Sequence, residues 1–182
     1  MQATIETPRL ILRAFETTDA ADLLAYLSMP TVGCFMDEQV LTIEQAVEKI
    51  KSRQQSEDYF AVQLKQTHQV IGDLFFMKER PDTYSVGWNF NTNFHGQGLA
   101  YESAYTFFDF LFNTLDTRRI YAYVEQDNHA SQKLCERLGM RKEGCFVEFI
   151  SFIQHEDGTP KYENTFQYAM LKKEWLNKSH SF

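Results

Sequence analysis

The hydrophobic pattern changes period several times along the chain, and each change marks an element. Leu10-Ile11-Leu12-Arg13-Ala14-Phe15 is a short apolar run after Pro8 and reads as a strand. Thr17 or Thr18 is placed to cap a helix whose apolar face is Leu23, Leu24 and Leu27, ending near Pro30. Thr42 opens a second helix, with Ile43, Ala46, Val47 and Ile50 at the i, i+3, i+4, i+7 spacing of one face. Glu44, Glu48, Lys49, Lys51 and Arg53 fill its wet side. The pattern then turns to strands: Tyr59–Leu64 and Val70–Met77, joined by the polar turn Lys65–Gln69, and Thr83–Phe90 after Pro81-Asp82. The helical period returns after Asn91, with Ala100, Ala104, Phe107, Phe108 and Leu111 on one side. Arg119–Val124 reads as a strand, and His129–Leu138 as a helix ended by Gly139. Cys145–Ile153 and Tyr162–Leu171 read as a closing hairpin. This order of elements predicts a mixed α+β sheet.

Composition adds limits. A chain of 182 residues without repeat, low-complexity segment or linker fits a single domain, 1–182, and 43% hydrophobic residues suffice for a core. The net charge of −7 argues against a nucleic-acid partner, which needs a basic face, and suits a small cationic substrate or a basic peptide. Cys34, Cys135 and Cys145 are odd in number and lack CxxC spacing; they read as reduced, partly buried thiols of a cytoplasmic protein. Five histidines with no HxxxH pairing predict no metal site. MQATIETPRL has no signal-peptide pattern, and no apolar stretch approaches the ~18 residues of a membrane span, so no membrane partner is expected.

Two turns carry candidate chemistry. His95-Gly96-Gln97-Gly98-Leu99-Ala100-Tyr101 stands where a strand gives way to a helix. A P-loop needs a lysine that is missing, and a dinucleotide fingerprint needs a glycine where Tyr101 stands. The general alternative is a helix start whose free N–H groups and dipole converge on an anion, with Gly96, Gly98 and Ala100 leaving the approach open. A plain turn explains the same glycines, and the spacing alone does not choose. Farther on, Asn128 heads a helix and Ser131 lies in its first turn, positions that ordinary helix capping also explains.

Taken together, these residues resemble the GNAT superfamily of acyl-CoA-dependent N-acetyltransferases. His95-Gly96-Gln97-Gly98-Leu99-Ala100 stands for that family's Arg/Gln-x-x-Gly-x-Gly/Ala turn. Asn128-His129-Ala130-Ser131 with Leu138-Gly139-Met140 stands for its Asn-x-x-(Ser/Ala) helix ending in Gly-Phe. Glu6-Thr7-Pro8-Arg9-Leu10-Ile11-Leu12-Arg13 and Glu143-Gly144-Cys145 are similar to the ribosomal-protein N-terminal (alanine) acetyltransferase branch. The resemblance spans about Pro8 to Trp175.

It implies a mixed, mostly antiparallel sheet with helices on both faces, splayed between the parallel strands Thr83–Phe90 and Arg119–Val124. Coenzyme A would lie in that cleft, its pantetheine pairing with the backbone of Phe90, Asn91 and Thr92. The turn from His95 through Gly96, Gln97, Gly98, Leu99 and Ala100 to Tyr101 would hold the pyrophosphate. Asn128 and Ser131 would face pantetheine and thiol, and Arg137 either the nucleotide phosphate or solvent. His95, Met140 and Cys135 depart from the pattern; Cys135 replaces the tyrosine that often protonates the thiolate and reads as a buried small residue. Ser131 is therefore assigned to the thiolate.

The implied reaction takes acetyl-CoA as co-substrate, without a metal, and passes acetyl directly to a primary amine or peptide N-terminus in a ternary complex. Glu148, an acid amid apolar residues, is the candidate base if burial raises its pKa, and otherwise an outward-facing strand acid. Glu125 and a solvent-facing Glu102 are weaker candidates. The acceptor is expected against the two early helices and the loop Ser151–Asn164, with Phe149, Phe152 and Tyr162 lining a pocket or joining the core. A polyamine or aminoglycoside acetyltransferase is the near alternative, and a non-catalytic acyl-CoA-binding sensor module the distant one. The sequence leaves a homodimer open.

Overall fold

The computed structural model describes residues 2–29, 36 and 38–177. Its strands are β1 (Ile5–Glu6), β2 (Leu10–Arg13), β3 (Tyr59–Leu64), β4 (Val70–Glu79), β5 (Thr83–Phe90), β6 (Arg119–Glu125), β7 (Arg141–Gln154) and β8 (Pro160–Leu171). Its helices are α1 (Ala20–Leu27), α2 (Ile43–Arg53), α3 (Leu99–Asp109), α4 (His129–Arg137) and α5 (Lys172–Leu176). The strands form one sheet in the order β1-β2-β3-β4-β5-β6-β8-β7. Neighbours run antiparallel except β5 and β6. The mixed sheet with one parallel pair, flanked by helices, is the architecture that the resemblance implied.

Alternation along β3 shows how the two faces are filled. Phe60 and Val62 belong to a large core with Phe107, Phe108, Leu111 and Leu134 from the α3–α4 side, while Ala61 packs with Leu23, Leu27, Ala46 and Ile50 of α1 and α2. Thr42 caps α2 as expected, accepting the Gln45 N–H at 3.3 Å. Several expectations need correction. Neither Thr17 nor Thr18 caps α1; Thr17–Asp19 forms a 3-10 turn in which Asp19 accepts the Glu16 N–H and a bidentate pair from Arg13. Ile43 is exposed rather than on the buried face of α2. β7 begins four residues before Cys145, and that thiol is exposed, whereas Cys135 is buried. Cys34 and Pro30 lie outside the described residues. Among those residues no helix is long and apolar enough to cross a membrane.

One buried polar cluster ties α1 and α2 to the sheet. Asp73 on β4, 1% exposed, accepts from Arg53 of α2 at 2.9 Å and from the Tyr26 hydroxyl of α1 at 2.7 Å. The Arg53 guanidinium lies over the rings of Phe15 and Tyr59 and also reaches Glu38. Burial and the Asp73 charge push the Tyr26 phenol well above its ordinary pKa, so it stays a donor. Removing one partner strands a desolvated charge: Asp73→Ala is expected to lower the unfolding free energy by about 3–5 kcal/mol, read by urea denaturation.

Candidate active site

β5 and β6 pair only at Thr83↔Arg119, Tyr84↔Ile120 and Ser85↔Tyr121. Beyond that point each strand keeps its outer ladder, β5 with β4 as far as Phe90 and β6 with β8 as far as Glu125. Among the described residues the facing edges from Val86 and Ala122 onward therefore meet no strand, and the main chain of β5 offers unpaired groups to a peptide-like ligand.

β5 runs into α3 through Asn91 and the glycine turn. Gly96 and Gly98 hold left-handed backbone, φ +77° and +78°, which side chains resist. A Cβ added at Gly96 would meet nothing, so that position opens on free space. From Gly96 to Tyr101 no backbone N–H finds an acceptor among the described residues; Glu102 is the first to bond back, to the Gly98 carbonyl at 3.0 Å. A helix start with its donors unspent and its dipole aligned suits an anion.

A strap from the N-terminal segment holds this turn. Arg9 donates from Nη1 to the Gln97 carbonyl at 3.0 Å and from Nε to Glu102 at 2.6 Å, and Thr7 donates to the same carboxylate at 2.6 Å. Glu102 is thus pinned rather than solvent-facing. Burial raises its pKa, but the hydrogen bonds from Thr7 and Arg9 outweigh that and hold the carboxyl below its usual range.

A cavity of about 430 Å³ runs from the end of β5 across this turn to α4. Phe90, Asn91, Thr92, His95, Gly96, Gly98, Leu99, Ala100, Tyr101, Asn128, Ser131 and Arg137 all line it. Of the residues implied for coenzyme A, Gln97 alone does not; its carbonyl is committed to Arg9. Arg137 lies 4.8 Å over the Tyr101 ring, and neither it nor Lys133, also on the lining, has an ion-pair partner among the described residues. Free amides, unpaired cations and an open strand edge together fit a long anionic ligand with an amide-bearing arm. Lys133, Trp88 and Arg9 are contributors that motif reading missed. Only Arg9 carried a signal, its place in the N-terminal motif.

Asn128 caps α4, its Oδ1 accepting the Ser131 N–H at 3.1 Å. The Ser131 Oγ accepts the Trp88 indole N–H at 3.1 Å, which leaves its own hydroxyl hydrogen free to donate. Beyond Trp88 lies a second cavity of about 190 Å³, lined by Phe75, Ser85, Gly87, Tyr123, Glu125 and neighbouring residues. Trp88, Asn128 and Ser131 line both cavities. Cys135 is buried, and desolvation followed by the Glu136 charge pushes its thiol far up, so it is no nucleophile.

The expected base fares differently. Glu148 is exposed, with φ +50°, on a bulge where the β7–β8 register shifts between Phe146 and Ile150. Alternation fails at that bulge, so the expected burial is absent, and Glu148 lines neither cavity. Phe149 and Tyr162 are exposed too, and with Phe152 they line neither cavity. Glu125 is the acid that is buried, 6% exposed, on the second cavity.

Comparison with known proteins agrees with this geometry. The model of the Acetyltransferase (GNAT) domain matches residues 9–141. The N-acetyltransferase YnaD of Bacillus subtilis (strain 168), itself uncharacterized, is 31% identical over 176 residues, covering 94% of this chain and 98% of its own. A GNAT-family acetyltransferase structure from Bacillus anthracis superposes with a TM-score of 0.83 at 28% identity, over 94% of this chain and all of that one. Two more distant structures share the fold. A ribosomal-protein-S5-alanine acetyltransferase from Vibrio fischeri has a TM-score of 0.73 at 18% identity, over 96% and 99% of the chains. A spermidine N-acetyltransferase chimera from Vibrio cholerae and hSSAT has a TM-score of 0.75 at 22% identity, over 93% and 99%.

Two outcomes test the turn. Gly98→Val, which adds a β-branched side chain at left-handed φ, is expected to weaken coenzyme A binding at least about tenfold by calorimetry, with a modest loss of stability. Because the folded pKa of Glu102 is depressed, the strap is fully formed above the ordinary carboxyl value of about 4.3 and is lost as pH falls through the folded value. Glu102→Gln should therefore cost about 1 kcal/mol at pH 7, and its Tm deficit should close below about pH 4.

Proposed function

The chain belongs to the GNAT acetyltransferase family, and from that premise we propose that it moves acetyl from acetyl-CoA to a primary amine by direct attack, a peptide N-terminus among the acceptors. The observation that carries this reading is the pair of cavities meeting at Trp88, Asn128 and Ser131. One cavity has the cations, free amides and open strand edge suited to coenzyme A. The other approaches the same three side chains from the opposite side of the parted strands. A thioester reaching Ser131 through the first would face an amine entering through the second.

In this mechanism the turn from Gly96 to Tyr101, with Lys133 and Arg137, binds the pyrophosphate and nucleotide phosphate, and the free edge of β5 aligns pantetheine. The amine, deprotonated, attacks the thioester carbonyl carbon; the N–C bond forms, the C–S bond breaks, and the electron pair leaves on sulfur. The Ser131 hydroxyl, oriented by the Trp88 indole, donates to that sulfur. Starting from an ammonium, the products are amide, free coenzyme A and one proton released to solvent. Cys135 takes no part, and neither does an acyl-enzyme.

The test is release of free thiol from acetyl-CoA across a panel of amines and N-terminal peptides. Ser131→Ala is expected to lower kcat about 10- to 100-fold while coenzyme A affinity changes less than about twofold. An unchanged kcat would remove the serine from the thiolate. Coenzyme A binding without turnover on any acceptor would instead identify a sensor module.

A further inference from the structure

The smaller cavity has a chemistry of its own. It opens on the sheet face opposite α3 and α4, beside the region that α1 and α2 cover. Ser85, Gly87, Tyr123 and Glu125 share this face by strand alternation and register. Its walls are largely apolar: Phe75, Val86, Trp88, Ala122, Tyr123 and Val124. Gly87 makes room for the Phe75 ring, since a Cβ there would lie 2.2 Å from it. The polar lining of the cavity is Ser85, Asn128, Ser131 and Glu125; Glu125 is the acid among them, its residue is 6% exposed, and its carboxylate meets no donor among the described residues.

Glu125 is not alone in lacking a partner. Thr165, directly across the β6–β8 ladder from it, is 1% exposed, and its hydroxyl also has no hydrogen-bond partner among the described residues. One strand position further out on the same face, Glu163 has a buried Oε2 with none. Burial, then repulsion from Asp127 and Glu125, pushes the Glu163 carboxyl up, with Lys161 offsetting this only in part. Thr165 and Glu163 lie outside the cavity lining, whereas Glu125 is on it; a carboxylate so placed, with no hydrogen bond among the described residues, is the group whose hydrogen-bonding capacity a ligand in the cavity completes. What fits is a cation with donors on an apolar body: attraction to aromatic faces and to a lone carboxylate both select an ammonium over a neutral group.

We propose that this cavity is the acceptor site, that it selects a primary ammonium on an apolar stem, and that Glu125 is the specificity-determining residue that holds the charged nitrogen. The inference rests on the acetyl-transfer reading and deepens it. With the nitrogen at Glu125, the stem lies along Phe75 and Tyr123. Glu125 holds the ammonium on entry; one ammonium proton then goes to solvent water, and the neutral amine passes to the thioester by Trp88 and Ser131, which line this cavity and the larger one alike. The net charge of −7 draws such a substrate in, and the exposed Asp127 at the head of α4 extends the acidic approach.

Binding can be read without turnover. The CoA-bound protein is titrated with n-butylammonium chloride and, in parallel, with n-butanol as its neutral isostere, following tryptophan fluorescence; Trp88 lines the cavity, whereas Trp175 is fully buried elsewhere. The expected result is saturable binding of n-butylammonium that weakens about tenfold or more in Glu125→Gln, while n-butanol binds weakly and equally to both. Equal affinity of n-butylammonium for the two proteins, or n-butanol binding as tightly as n-butylammonium, overturns the proposal. Should Glu125→Gln not fold, the wild type alone decides. Affinity for n-butylammonium must fall with ionic strength more steeply than that for n-butanol, and parallel salt dependence rejects the assignment. Thiol release separates the two readings: acetyl transfer that ignores Glu125 sinks this site alone, whereas saturable binding of n-butylammonium with no thiol release on any amine or peptide of the panel sinks the enzyme reading.

Discussion

The arrangement depends on two strands that part company. Three residue pairs hold β5 to β6, and beyond Ser85 and Tyr121 that ladder stops while each strand goes on pairing on its far side. Unpaired main-chain groups inside a folded protein are normally costly, so an opening of this kind persists where the rest of the fold over-determines it and a ligand can complete it. The antiparallel ladders to β4 and β8 supply that determination. Every functional feature of the chain is placed relative to this opening: the glycine turn at the end of β5, the head of α4 beyond β6, and a cavity on each side.

A second constraint keeps the turn in shape. Two left-handed glycines give freedom of approach at the expense of stiffness, and the chain restores stiffness from a distance through Thr7, Arg9 and Glu102. The buried Arg53–Asp73–Tyr26 cluster does similar work on the other side, fixing α1 so that Tyr26 stands on the wall of the larger cavity. Both devices are polar and long-range, and both exclude alternative positions of the elements they join as much as they add stability.

Trp88 stands where the two cavities meet. Its indole N–H orients the Ser131 hydroxyl, and its side chain lines both cavities. Cys135 is buried behind this pair, and Ser131, held from two directions by Asn128 and Trp88, keeps one hydroxyl hydrogen to donate.

What the sequence by itself determined is local. Periodicity located the principal helices and strands, with Thr83–Phe90 matching to the residue, because packing one face of an element imposes a period that any single chain displays. Gly96, Gly98, Asn128 and Ser131 were readable for the same reason: backbone conformation and helix capping are set by neighbours in the chain. The roles of Arg9, Lys133 and Trp88 were decided only in three dimensions, since each acts on a partner many residues away. Glu148 and Glu125 show the point most plainly. Alternation leaves Glu148 a strand acid of uncertain face, and a bulge in β7 turns it outward; Glu125, read as the weaker candidate beyond the end of a strand, is the last residue of β6 and is buried. Burial of a charge belongs to the sheet as a whole, and no stretch of sequence carries it alone.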